Sequence, residues 1–388
     1  MKLIIWERTL DHQQLHTWKA IQQKLDQRVT YVLTEPENQS RKQQGWPAID
    51  LSAMDVIIMK RKGWWRQSID IIRQNSDAFH LFVGFWTDRR LLPLIIYSVN
   101  RAIKTAVLNE PYSTFPAGYI QEENLFKSKV KVILRPFLYR SAALMLRFAS
   151  YKKKPACIFA FSLLAQEQFI QAGFEKNNIF PFGYFVPKMA ISINKDKKVD
   201  HLRLVFVGAL LKRKGLDIAI SAMQRINQSG TKATLDIYGN GDPAVFIPKD
   251  SDTIIYKGII PTEKAQAVIA QYDALILPSR HDGWGVVVNE ALLQGIPVIV
   301  SDHVGAKCLI EPNGAGLIFE SENVDDLANQ LTRLLETPGL MDKISENAKI
   351  IDKDILPEVA AQYFLDALAY YFYGVGSRPQ ALWCNKIC

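Results

Sequence analysis

Pro278-Ser279-Arg280-His281-Asp282-Gly283-Trp284-Gly285-Val286-Val287-Val288-Asn289-Glu290 follows the apolar run Ala274 to Leu277 and leads into Ala291-Leu292-Leu293-Gln294-Gly295-Ile296-Pro297. The pattern predicts a strand, a glycine-flanked loop and a helix, stopped by Gly295 and Pro297. Asp282 and Glu290 stand eight positions apart, one before the helix and one in its second turn. Between them the amides of Gly283, Trp284 and Gly285 meet the helix N-terminus, where orphan N–H groups and the helix dipole favour an anion. Carboxylate, anion site and carboxylate suit a ligand with hydroxyls at both ends and phosphate in the middle. Nucleotide-sugars have that layout.

Outward from this run, strand and helix patterns alternate throughout, which predicts an α/β protein. Strands are expected at Leu3–Trp6, Val29–Leu33, Val56–Met59, His80–Val83, Thr105–Leu108 and Cys157–Phe161. A polar, aperiodic stretch from Pro187 to Val199 marks a boundary, and Leu202–Val207 opens a second series with Thr234–Tyr238, Thr253–Tyr256, Ala274–Leu277 and Val298–Ser301. Helices are expected at His12 to Leu25, Leu163 to Ala172 and Val359 to Tyr373. The 388 residues, 48% hydrophobic and 22% charged, suit two folded domains and exclude a disordered chain. Residues 1–190 and 191–356 would be two Rossmann-like domains, with 357–388 a helical tail.

In doubly wound sheets ligands sit at the carboxyl ends of strands, so the loops after the second-domain strands belong together. Gly208-Ala209-Leu210-Leu211-Lys212-Arg213-Lys214-Gly215 offers close backbone approach at Gly208 and a diphosphate-neutralising cation at Lys214. Alone, three basic residues at a helix start are more often a solvated turn. Tyr238-Gly239-Asn240-Gly241-Asp242 supplies a tight turn with Gly239 at the cleft border. Glu290 is the candidate for holding a ribose diol, since a carboxylate accepts two hydrogen bonds. Asp282 should face the sugar. An N-cap Asp and a surface Glu on an ordinary helix are the plain alternative for either residue alone.

The run Asp282 to Glu290 resembles the Glu-x7-Glu element of retaining GT-B glycosyltransferases, especially glycosyltransferase family 4, with Asp at the first acid. The resemblance extends through Val205 to Gly215, Leu235 to Gly241, Ile254 to Gly258 and Pro297 to Asp302. It implies a GT-B fold, two Rossmann-like domains facing each other across a cleft, with the last helix crossing back to the first domain. It implies a retaining, metal-independent transferase using a UDP- or GDP-linked sugar as co-substrate and no other cofactor. Lys214 matches the family's phosphate-binding Lys. It implies for Asp282 a sugar-orienting role and electrostatic support of an oxocarbenium-like transition state. The segment Tyr256 to Ile260 is where such donors place the base. The family frequently has Arg where this chain has Ala209, which leaves Lys212 or Arg213 to compensate. In the first domain, Glu110, in Asn109-Glu110-Pro111-Tyr112, stands where similar enzymes place acceptor-side residues. It is either the acceptor's general base or a loop carboxylate.

The net charge of +8 is divided unevenly: residues 1–190 carry 27 Lys+Arg against 15 Asp+Glu, the remainder 20 against 24. Residues 124–154 hold nine basic residues and no acid, interleaved with apolar ones. That mixture fits an anionic membrane surface, with a solvated basic face as the plain alternative. No nucleic-acid motif accompanies it. No apolar stretch is long enough to span a bilayer, and Met1 to Trp6 is too short for a signal peptide. Cys157, Cys308, Cys384 and Cys388 lack metal or disulfide spacing and read as reduced cytosolic thiols. No metal site is expected: Asp250-Ser251-Asp252 has Asp-x-Asp spacing but falls in a loop away from the cleft, and His281 and His303 lack partners at ligand spacing. The expected acceptor is a glycan or lipid-linked saccharide of envelope polysaccharide synthesis, at the inner face of the cytoplasmic membrane. A nucleotide-sugar epimerase and a non-catalytic membrane-associated binding protein are the alternatives.

Overall fold

A computed structural model describes residues 1–36, 49–51, 54–118, 125–191, 201–230, 233–248 and 251–383. Two parallel sheets organise it. The first has the order β3-β2-β1-β4-β5-β6-β7, from β1 (Leu3–Glu7), β2 (Thr30–Leu33), β3 (Asp55–Ile58), β4 (Phe79–Val83), β5 (Thr105–Asn109), β6 (Cys157–Phe161) and β7 (Ile179–Phe182). The second has the order β10-β9-β8-β11-β12-β13, from β8 (Leu202–Val207), β9 (Ala233–Tyr238), β10 (Ile254–Gly258), β11 (Ala274–Leu277), β12 (Val298–Ser301) and β13 (Gly316–Phe319). Both reverse direction beside their first strand, so the chain is doubly wound twice, and each switch point opens a crevice at the strands' carboxyl ends. This is the GT-B arrangement.

The central strands read as continuous apolar runs because helices cover both faces of a parallel sheet. Ile4, Ile5 and Trp6 of β1 and Leu275, Ile276 and Leu277 of β11 are all fully buried. Sequence patterning missed β7 and β13, and both are edge strands. Pro181 inside β7 cannot donate to a ladder, a loss that only an edge tolerates.

The helices are α1 (His12–Leu25), α2 (Trp64–Gln74), α3 (Leu91–Asn100), α4 (Leu125–Ala149), α5 (Ser162–Gln171), α6 (Leu216–Gln228), α7 (Ala265–Ile269), α8 (Val286–Leu293), α9 (Val324–Glu336), α10 (Leu340–Ile351) and α11 (Pro357–Tyr373). Asp11 caps α1 by accepting from the Gln13 amide. Pro357 starts α11 at a position where no N–H is needed, and Gly374 ends it in the left-handed region. From the second half of the chain, α11 lies back on the first sheet: the Phe364 ring stacks on Phe159 at 4.5 Å between centroids and meets Trp18 edge-on at 5.9 Å. Much of the connection between domains, from 192 to 200, lies outside the described residues, as do Asp250, Cys384 and Cys388. Cys157 and Cys308 are buried free thiols.

Candidate active site

The loops leaving β8, β9 and β11 converge on one cavity of about 580 Å³. Hydrogen bonds between successive loops fix its walls. The Gly208 amide donates to the Tyr238 carbonyl at 2.9 Å, Leu210 to Asn240 at 2.7 Å and Gly239 to Gly258 at 2.9 Å. Gly239 and Gly208 touch so closely that a Cβ on Gly239 would lie 1.7 Å from the Gly208 carbonyl oxygen. On the other side the Asp282 amide donates to His303 at 3.1 Å, and the Gly305 and Ala306 amides donate back to Asp282 and Trp284 at 3.0 and 2.8 Å. Arg280 binds the two halves of the site together. It donates to the Lys212 carbonyl at 2.7 Å, to Asp217 at 2.7 Å and to Glu322 at 2.6 Å.

Inside this frame Lys214 Nζ donates to Asp282 Oδ2 at 2.5 Å. Burial pushes the Asp282 carboxyl upward, but Lys214 and Arg213 outweigh it and hold the group below the ordinary aspartate value. Arg213 lines the same cavity and donates to the His281 carbonyl at 2.7 Å. His281 is half-buried, and desolvation is the chief reason that its ring is pushed down to about 4, so it is neutral near pH 7. Glu290 projects from the second turn of α8 into the cavity, where burial raises its carboxyl to about 7. Gly285 caps α8 without a side-chain hydrogen bond, which leaves the first-turn amides facing the cavity between Asp282 and Glu290.

A second cavity of about 400 Å³ adjoins the first, and Glu110, Tyr184 and His281 line both. The Tyr184 hydroxyl donates to Glu110, and the Asn289 side chain donates to the Tyr184 carbonyl at 3.1 Å. A Cβ on Gly283 would come within 2.6 Å of Glu110 Oε2, so the first domain's carboxylate lies directly over the second domain's loop. Among the described residues no cluster of His, Cys, Asp or Glu has the makings of a metal site.

Residues 189–350 match the family described as glycosyl transferases group 1. The second half of the chain is therefore similar to the glycosyl transferases group 1. Across the chain, an uncharacterized 41.2 kDa protein in the cps region of Klebsiella pneumoniae is 23% identical over 300 residues, 74% of each protein. The amylovoran biosynthesis glycosyltransferase AmsK of Erwinia amylovora is 29% identical over 191 residues, 46% of this chain and 47% of that one. Apart from the Klebsiella protein, the chain spans about half of the first curated relatives' own lengths. In fold it is similar to Anabaena HepE solved with UDP: TM-score 0.69, 14% identity, 95% of this chain and all of that one.

Within the matched residues 189–350, Gly208, Lys214, Gly239, Asp282, Gly283, Trp284, Gly285 and Glu290 all border the first cavity. Trp284 does so by its backbone. Its indole points away, donating to Asn289 at 2.8 Å and packing against Gly183, Phe185 and Trp383. Ile259 and Ile260 also border it, whereas Lys212 does not. Where Ala209 leaves a gap in charge, Arg213 is thus the cation that reaches the site. Tyr184 was not expected there, and His281 only as a member of the opening run. Tyr184 follows the edge strand that patterning missed. His281 stood in the opening run but carried no signal beyond its neighbour Asp282.

Proposed function

We propose that this protein is a retaining glycosyltransferase, like those of family 4. It moves a sugar from a UDP- or GDP-linked donor to a glycan or lipid-linked saccharide acceptor in envelope polysaccharide synthesis, at the inner face of the cytoplasmic membrane. The observation that carries this is the sharing of one cavity by Lys214, Arg213, Asp282, Glu290 and the amides that open α8. Glu290 takes the ribose diol and the amides take the phosphates. Lys214 and Arg213 meet the charge that grows on the diphosphate as the bond to the anomeric carbon breaks, so the reaction needs no metal. Asp282, kept ionised by Lys214, faces the sugar and favours positive charge at the anomeric carbon. Glu110 sits where the two cavities meet and accepts the acceptor hydroxyl's proton. The adjoining cavity favours a transferase over an epimerase, which needs no acceptor pocket.

Thermal-shift screening with UDP- and GDP-sugars tests the donor assignment, because a ligand that binds only the native state raises its melting temperature. At least one should do so in the presence of a chelator. A flat panel would overturn the reading. With a bound donor and a glycan acceptor, NMR of the product should show the donor's own anomeric configuration.

A further inference from the structure

Helix α4 spends much of its surface in a way a buried helix does not. Ser128, Tyr139, Ala142, Ala143 and Leu146 are buried against the first domain. At about 100° per residue, Ile133, Phe137, Leu144 and Phe148 fall on the opposite side, within an arc of about 60°. They are 62%, 58%, 55% and 79% exposed. Leu134 and Met145 widen the ridge, and Tyr151 extends it beyond the helix end. A run of large exposed apolar side chains is uncommon on a soluble protein and marks a contact surface. Along one flank stand Lys129, Arg140 and Arg147, all exposed.

We propose that α4 lies in the headgroup layer of an anionic bilayer, with this ridge toward the acyl chains and the basic flank on lipid phosphates. The proposal rests on the reading of the acceptor as a lipid-linked saccharide and names the surface that meets its membrane. An amphipathic helix lies in the interface when an apolar face is edged by Lys and Arg. Charge decides between a bilayer and a second copy of this chain. Residues 124–154 contain nine basic residues and no acid, so two ridges face to face would bring like charges together. An anionic surface neutralises them. No helix among the described residues is long and apolar enough to cross a membrane, which fits a helix lying along it.

The inward side of α4 connects this surface to the site. Arg135 and Tyr139 line the second cavity, and Asn109 Nδ2 donates to the Tyr139 hydroxyl at 3.0 Å, one residue from Glu110. A bilayer beneath α4 places that cavity beside the headgroups.

Co-sedimentation of the full chain with vesicles tests this. Binding is expected to phosphatidylglycerol-containing vesicles, weakening with salt, and not to phosphatidylcholine alone. Phe137→Ser with Phe148→Ser should lower that binding at least about tenfold while the melting temperature and its rise with UDP stay unchanged. Equal binding by the double variant would overturn the proposal. So would a lipid-free dimer that the double variant converts to monomer with vesicle binding intact. Stabilisation by UDP is read separately, so loss of the lipid face and loss of the nucleotide site give different results.

Discussion

Lys214 keeps Asp282 ionised inside a loop that burial alone would drive toward the neutral acid. Lys214→Met should therefore cost stability as well as transfer. Urea unfolding should show a loss of about 1–3 kcal/mol from the carboxylate left without its donor. Adding Asp282→Asn should recover most of it, a non-additive result, because the pair acts as a unit. Transfer should fall about a hundredfold or more in the single variant, from lost charge at the leaving diphosphate. Glu290 gives a pH prediction. Its carboxyl is raised from 4.5 to about 7, so the folded protein holds a proton that the unfolded chain has released. Stability should fall as pH rises between those values. A diol donates to both oxygens of the carboxylate, and more strongly than to the neutral acid, which keeps fewer acceptor sites, so nucleotide affinity should rise from about pH 6 and level off above about pH 8. Titration calorimetry of Glu290→Gln should lose that dependence. An unchanged profile would remove Glu290 from the diol site.

Loops, more than side chains, fix the cavity at the level of elements. Three consecutive strand exits are joined amide to carbonyl, and Gly208 and Gly239 meet with no room for a Cβ between them. Gly239→Ala should push the β8 exit away from the β9 exit. Differential scanning calorimetry should show a lower melting temperature, and nucleotide binding should weaken with no charged group altered. Helix α8 makes the complementary point. Val286, Val287 and Val288 favour strand locally, yet burial of Val288, Ala291 and Leu292 and the glycine at its start make it a helix. The strand–loop–helix around Asp282 was legible in the sequence because turn residues bound it on both sides. β7 and β13 were not, since short edge strands lack the long apolar run of a doubly covered strand. With β7 went Tyr184, which the structure brings against Glu110.

Across the whole molecule, α11 ties the end of the chain to the first sheet through rings. Phe364 is fully buried and touches Trp18, Phe159 and Phe182. Phe364→Ala should lower the free energy of unfolding by about 3–5 kcal/mol, measured by urea titration, because the cavity it leaves is walled by rigid rings. The second contact between domains is at the site itself. Trp284 fills the space above Gly183, and the Phe115 ring lies tilted against His303 at 4.5 Å between centroids. The two cavities are adjacent because these contacts bring Glu110 over Gly283.

By itself the sequence determined the two doubly wound sheets and most of the second-domain residues that border the first cavity. Strand periodicity, glycine loops and the Asp282–Glu290 spacing are local, and local patterns survive in one dimension. Only the tertiary structure decided that Arg213 and not Lys212 reaches the cavity, that Trp284 serves by its backbone, and that Tyr184 holds Glu110. It alone decided which side of α4 faces out. Each of these depends on which surfaces of distant segments are buried against one another, a quantity that sequence spacing does not contain.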